Sequence, residues 1–172
     1  SADFTVNVSP NIPVFAGDDV EICLGYDVIL TAINATTYTW SDNVVNGEPF
    51  TPTVSGLYTV IGISANGCET TDDVFVTVNT PPVIDAGNPL MICEGEDVLL
   101  EGSGAGPNGT YSWNNGVIDG ESFAAQYSAM YILTGVDENG CIGTDSVFVT
   151  VLPVPTAQFT ADVFSGTSPL EV

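Results

Sequence analysis

The sequence predicts an all-β chain built from two small sandwich units in series, and three observations carry that prediction. The chain repeats itself: Ala16-Gly17, Cys23, Gly25, Asp27 and Val28 return as Ala86-Gly87, Cys93, Gly95, Asp97 and Val98, a shift of 70 positions. Beyond a three-residue insertion, Tyr38-x-Trp40, Asn66-Gly67-Cys68 and Asp72-x-Val74 return as Tyr111-x-Trp113, Asn139-Gly140-Cys141 and Asp145-x-Val147, a shift of 73. A fixed period with matched cysteines, tryptophans and turns marks two copies of one unit. Within each copy, short β-branched runs alternate with turn signals, the pattern of a β-sandwich. No segment of useful length has helical periodicity.

Taken in order, Phe4, Val6 and Val8 match Val74, Val76 and Val78 at the first shift, so residues 1–10 are expected to be the last strand of a preceding copy. Copy one, residues 11–80, has strands at Val28-Ile29-Leu30, Tyr38-Thr39-Trp40, Tyr58 to Ile61 and Val74 to Val78. Copy two, residues 81–155, has counterparts at Val98-Leu99-Leu100, Tyr111-Ser112-Trp113, Tyr131-Ile132-Leu133 and Val147 to Val151. Ala65-Asn66-Gly67 and Glu138-Asn139-Gly140 have the composition of tight hairpin turns, since Asn-Gly accepts positive φ at low cost. Gly102 to Gly109 holds the insertion and is expected to be a loop. Pro10 and Pro13, Pro81-Pro82, and Pro153 and Pro155 punctuate the junctions, where proline ends strand pairing and stiffens a short link. An extended, fairly stiff array follows.

The composition narrows the function classes. The 172 residues include 22 Asp plus Glu and no Lys, Arg or His, a formal charge of −22. No ion pair between side chains can form, so burial, backbone pairing and covalent links must hold the fold. Nucleic acid and anionic lipid surfaces would repel such a chain. Salt or divalent cations should relieve its self-repulsion. Trypsin-like proteases find nothing to cut. With 44% apolar residues the chain can nevertheless pack a core, unlike an acidic disordered tail. No run approaches the ~20 apolar residues of a membrane span. The first residues lack the basic region and apolar stretch of a signal peptide, and the chain reads as a segment of something longer.

Units of roughly 75 residues bury a limited core and often need staples. Each copy has two cysteines, which fits a disulfide-dependent module in an oxidising, extracellular setting. Zinc is a weak competitor, because there is no Cys-x-x-Cys and no His. Trp40 and Trp113 are what a glycan-binding module would stack on sugars, yet each follows a Tyr by two residues in an alternating strand, which favours core packing. Tyr58 and Tyr131 are candidates for a tyrosine corner. Phe75 and Phe148 point away from their neighbouring valines, towards another domain or a covering loop. Asp18, Asp19 and Glu21, and Asp85, Glu94, Glu96 and Asp97, form two acidic groups that invite calcium. Calcium needs six to eight converging oxygens, and without an EF-hand or RTX pattern a solvated acidic face is the preferred reading. Asn34-Ala35-Thr36 and Asn108-Gly109-Thr110 fit the N-glycosylation triplet. No histidine or lysine is present to act as base, and Asp72-Asp73 are adjacent in a strand, so they point to opposite faces. The chain reads as non-catalytic.

In copy two, Asp85-Ala86-Gly87, Ile92-Cys93-Glu94-Gly95-Glu96-Asp97-Val98-Leu99-Leu100, Tyr111-Ser112-Trp113, Asn139-Gly140-Cys141 and Thr144-Asp145-Ser146-Val147 together resemble an immunoglobulin-like, PKD-like family found in tandem in secreted and surface proteins of Bacteroidetes. The resemblance covers both copies, residues 11–155. Pro155 to Ala161 followed by Gly166-Thr167-Ser168-Pro169-Leu170 is similar to the opening of a true PKD domain, so residues 156–172 are expected to start one. The resemblance implies large modular adhesins of the gliding-motility type, exported by type IX secretion, with neighbouring domains, surface glycans or other surface proteins as partners. Asp145-Ser146-Val147 resembles the O-glycosylation signal of that phylum, with Ser146 as acceptor.

Four cysteines allow three pairings. The repeat and the resemblance favour Cys23–Cys68 and Cys93–Cys141. Against this, a regular immunoglobulin strand order puts Cys23 and Cys93 at one pole of the sandwich and Cys68 and Cys141 at the other. Either the first strand takes an unusual path, or a bond crosses between copies, as Cys23–Cys141 would. Pairing within each copy is the expectation carried forward. The functional expectation is a stiff stalk or adhesive segment, set against a glycan-binding accessory module or a surface-filament subunit.

Overall fold

A computed structural model describes residues 12–160, so the strand expected at 1–10 and most of the domain start expected at 156–172 lie outside the described residues. In copy one, β1 (Val20–Cys23), β2 (Val28–Ile29), β3 (Thr37–Trp40), β4 (Pro49–Phe50), β5 (Gly56–Ile63) and β6 (Glu69–Asn79) follow in order. Copy two repeats them as β7 (Leu90–Cys93), β8 (Asp97–Leu99), β9 (Thr110–Trp113), β10 (Ser122–Ala124), β11 (Ala129–Val136) and β12 (Ile142–Leu152). The sheets are ordered β1-β6-β5-β3 and β2-β4, and then β7-β12-β11-β9 and β10-β8. A larger sheet facing a smaller one, with the first strand beside the last, is an immunoglobulin-like sandwich.

Alternation builds the core. Along β6, Val74 and Val76 point inward and are fully buried, while Asp73 and Phe75 point outward. Tyr58 and Val60 of β5 face the same interior, joined by Val28, Leu30 and Trp40. Copy two packs Val98, Leu100, Trp113, Tyr131, Leu133, Val147 and Val149 in the same way. No residue belongs to both cores.

The long hairpins turn where the sequence predicts, at residues 64–68 and 137–141. Positive φ falls on Gly67 and Gly140, at 79° each, and not on the Asn before each glycine. The sequence reading does not single out β1 and β7. Each runs parallel to the end of the last strand of its copy, Val20–Cys23 along Val76–Asn79 and Leu90–Cys93 along Val149–Leu152.

That parallel pairing overturns the expected bonds Cys23–Cys68 and Cys93–Cys141. Cys23 stands opposite Asn79 at the far end of β6, whereas Cys68 lies just before its start. Eleven residues of strand separate the two ends, which at ~3.3 Å per residue is about 36 Å. A disulfide needs Cα atoms within about 7 Å. Cys23 is instead bonded to Cys141, with Cα atoms 5.5 Å apart and 118 positions of sequence between them. Cys68 and Cys93 are unpaired and exposed.

Candidate functional site: the junction between the copies

Each tryptophan is held from inside its own copy. After Trp40 the chain makes a single 3-10 turn, Ser41–Asn43, closed by the Val44 N–H donating to the Ser41 carbonyl. This brings Asn46 back beneath the ring. Asn46 Oδ1 accepts from the indole Nε1 at 3.0 Å and from the Ala32 N–H at 2.7 Å. Asp119 does the same in copy two, accepting from Trp113 Nε1 at 2.8 Å and from the Gly102 N–H at 2.7 Å. Trp40 and Trp113 are 5% and 7% exposed, so neither ring can stack on a sugar. Asn46 and Asp119 are the fold-bearing polar residues that sequence reasoning missed. The one signal was their coincidence under the second shift, six residues after each tryptophan.

Tyr58 and Tyr131 work through their rings, which pack tilted against Phe50 and Phe123 at centroid distances of 5.2 and 5.3 Å. The tyrosine hydroxyls that tie down backbone are those of Tyr38 and Tyr111. Tyr38 Oη accepts from the Ala35 N–H and donates to the Ala35 carbonyl, and Tyr111 Oη accepts from the Ala105 N–H. Asp72 and Asp73 do point apart: Asp72 Oδ2 accepts from the Ala16 N–H, and Asp73 Oδ1 from the Thr59 hydroxyl. Asp145 repeats the Asp72 bond by accepting from the Ala86 N–H at 2.8 Å. That bond, with a second from the Ser146 N–H, holds the Asp145 carboxyl below its ordinary range. Burial, with the nearby Asp42 charge second, pushes the Tyr58 hydroxyl upwards.

The acidic groups do not converge. Asp19 accepts from the Phe75 N–H, Asp85 from the Gly87 N–H and Glu96 from the Cys93 N–H, while Asp18, Glu21, Glu94 and Asp97 are exposed. Among the described residues, no three acidic or sulfur side chains are grouped to hold a metal ion. Ser146 is exposed on β12, and Asn34 and Asn108 are exposed in loops. Phe75 and Phe148 are about two-fifths exposed, each beside another outward apolar residue, Leu57 and Met130 respectively.

The feature that joins distant parts of the chain is the junction. Copy one presents the end of β1 and the end of β6, clasped by the Leu24 N–H donating to the Asn79 carbonyl at 2.8 Å. Copy two presents its β11–β12 turn. There the Asp137 Oδ1 accepts from the N–H groups of Asn139 and Cys141, and the Asp137 N–H donates to the Cys141 carbonyl. Cys141 is completely buried, and its sulfur lies 4.0 Å from the Asn79 carbonyl oxygen. The linker then crosses bare backbone on copy two. A Cβ on Gly143 would collide with the Pro82 carbonyl, and one on Gly135 with the Ile84 side chain. Two covalent strands therefore bridge the copies side by side, the Asn79–Pro82 backbone and the Cys23–Cys141 disulfide.

No protein-family model and no curated protein sequence matches this chain. Among solved structures, it is similar to extracellular domains 3–5 of Drosophila OTK at 16% identity and a TM-score of 0.43, covering 78% of this chain and 59% of that one. It is also similar to the insect immune protein hemolin at 17% identity and a TM-score of 0.40, covering 82% of this chain and 46% of that one. The first eight immunoglobulin domains of Down Syndrome Cell Adhesion Molecule match at 18% identity and a TM-score of 0.36, covering 84% of this chain and 29% of that one. The chain thus spans about half the length of the first two. Its class, tandem immunoglobulin-like β-sandwiches, rests on its own strand pairing and cores. Among the described residues no helix is long and apolar enough to cross a membrane.

Proposed function

We propose that this chain is a non-catalytic structural and adhesive segment, a stiff stalk within a larger modular protein at the cell surface or secreted from it. Its domains are residues 11–80 and 81–155, each with its own core. The observation that carries this reading is the doubly bridged junction: a second covalent link between copies restrains the hinge that a proline linker alone would leave. A disulfide between copies also fits an oxidising, extracellular setting. The absence of His and Lys from the whole sequence removes the side chain most often used as a general base and the amine nucleophile. The resemblance to Bacteroidetes surface proteins favours a motility-type adhesin exported by type IX secretion, with a PKD domain next in line. Partners are then neighbouring domains of the same polypeptide, together with surface glycans or surface proteins.

Small-angle scattering tests the stalk. Two sandwiches in line, each built on an eleven-residue strand, give a rod with a radius of gyration well above the ~16 Å of a compact domain of this length. A value near 16 Å, or one that does not change when the disulfide is reduced, would count against a stiffened rod. Depletion of the chain on insoluble polysaccharide would reveal a glycan partner.

A further inference from the structure

Cys68 and Cys93 occupy, at the two ends of the pair, the positions that are already bonded in the middle. Cys68 corresponds to Cys141 under the second shift, and Cys93 to Cys23 under the first. The local backbone is the same at each correspondence. The Ser64 N–H donates to the Cys68 carbonyl at 2.9 Å, as the Asp137 N–H does to the Cys141 carbonyl at 3.0 Å. The Cys68 N–H is held by Ser64 Oγ, as the Cys141 N–H is by Asp137 Oδ1. At the other pole, the Glu94 N–H donates to the Leu152 carbonyl at 2.8 Å, as the Leu24 N–H does to Asn79. The Glu96 N–H donates to the Cys93 carbonyl at 3.1 Å, as the Tyr26 N–H does to Cys23. What differs is the cover: Cys141 is buried by the neighbouring copy, whereas Cys68 and Cys93 are exposed.

We propose that Cys68 and Cys93 are the two open halves of the same inter-copy disulfide. The occupant of each is the opposite pole of a further copy of this repeat. Cys68 takes the first-strand cysteine of a copy placed before it, and Cys93 takes the hairpin cysteine of a copy placed after it. The bonded junction is heterologous, one pole against the other, and such contacts repeat without closing. The array is then a covalent ladder, each copy bonded to the next by backbone and by sulfur. Each new bond removes two protons and two electrons from a pair of thiols. A disulfide oxidant such as oxidised glutathione accepts them and leaves as two reduced thiols, through a mixed disulfide. This inference rests on the junction geometry and is independent of what the stalk adheres to.

Two measurements test it. In the protein as secreted, with free thiols alkylated at harvest, peptide mapping without reduction should find Cys68 and Cys93 each in a disulfide with a cysteine at the complementary position. A cross-linked peptide from material running as a single polypeptide places the partner copy in the same chain, and one from a ladder of higher mass places it in a second molecule. Recovery of both residues as alkylated thiols overturns the proposal. With the isolated chain in a glutathione redox buffer, Cys68→Ser and Cys93→Ser should be mixed. The heterodimer joined through the remaining Cys93 and Cys68 should exceed either homodimer by tenfold or more. Statistical proportions, or no heterodimer, overturn it. Both substitutions are at exposed positions, so the mixed sample should remain folded, as circular dichroism can verify.

Discussion

Pulling the chain from its ends should reveal how much of it the Cys23–Cys141 bond removes from the line of force. The bond closes a ring of 118 positions. Fully extended chain spans at most about 3.3–3.6 Å per residue, so the ring stores about 400 Å of length that tension cannot release while the disulfide is intact. With the bond in place, force enters through β1, crosses the sulfur bridge and leaves through β12. Strands β2 to β6 and β7 to β11 are then shielded. The assay is single-molecule force spectroscopy on a Cys68→Ser/Cys93→Ser background, with handles at the two termini, run with and without reductant. Without reductant, the total contour length gained should fall about 400 Å short of the reduced sample, and Cys23→Ala should behave like the reduced sample. Equal lengths under both conditions would refute the bridge.

Further predictions concern the cores and the charge. Asp119→Ala strips two donors, Trp113 Nε1 and the Gly102 N–H, of their acceptor, at about 1–3 kcal/mol for each donor left buried and unpaired. Asp119→Asn should cost much less, because Asn46 makes the same pair of bonds in copy one. Urea unfolding of the two variants checks this. Trp40→Ala should cost about 3–5 kcal/mol, as deletion of a buried ring does, and should lower the melting temperature of copy one ahead of copy two. The Asp145 carboxyl is lowered in the folded state by the Ala86 N–H and then the Ser146 N–H. Its stabilisation is therefore present above its unfolded value of 3.8 and lost as pH falls through the lower folded value. Melting of copy two between pH 5 and pH 2 should be flatter in Asp145→Asn than in the parent. With a formal charge of −22, the melting temperature at pH 7 should rise when sodium chloride is raised from low to physiological ionic strength.

The strands that carry the cores were legible because their residues alternate over several positions, as Val74, Val76 and Val78 do. So was the burial of Trp40 and Trp113, which needed only strand parity. The short partners were not legible. β4 is two residues long and begins with a proline, and β1 pairs in parallel over four residues of mixed exposure. Neither length carries a period. The choice between the disulfide pairings was beyond reach for a different reason. A repeat places Cys23 in the same relation to Cys68 as Cys93 to Cys141, whether the bonds lie within copies or between them. Only the direction of β1 relative to β6 decides, and direction is a matter of pairing, not of composition. Asn46 and Asp119 differ in identity, which concealed a shared role that becomes plain once both are seen to accept from an indole.

The ring closed by Cys23 and Cys141 also changes what damage can do. A single backbone scission anywhere from residue 24 to residue 140 turns the ring into two dangling ends, yet leaves the two termini covalently joined through the disulfide. Strands β2 to β11 all lie inside that span, and β1 and β12 lie outside it. One proteolytic nick within the ring cannot detach whatever lies beyond this segment, and severing it takes a cut outside the ring or such a nick together with reduction of the disulfide.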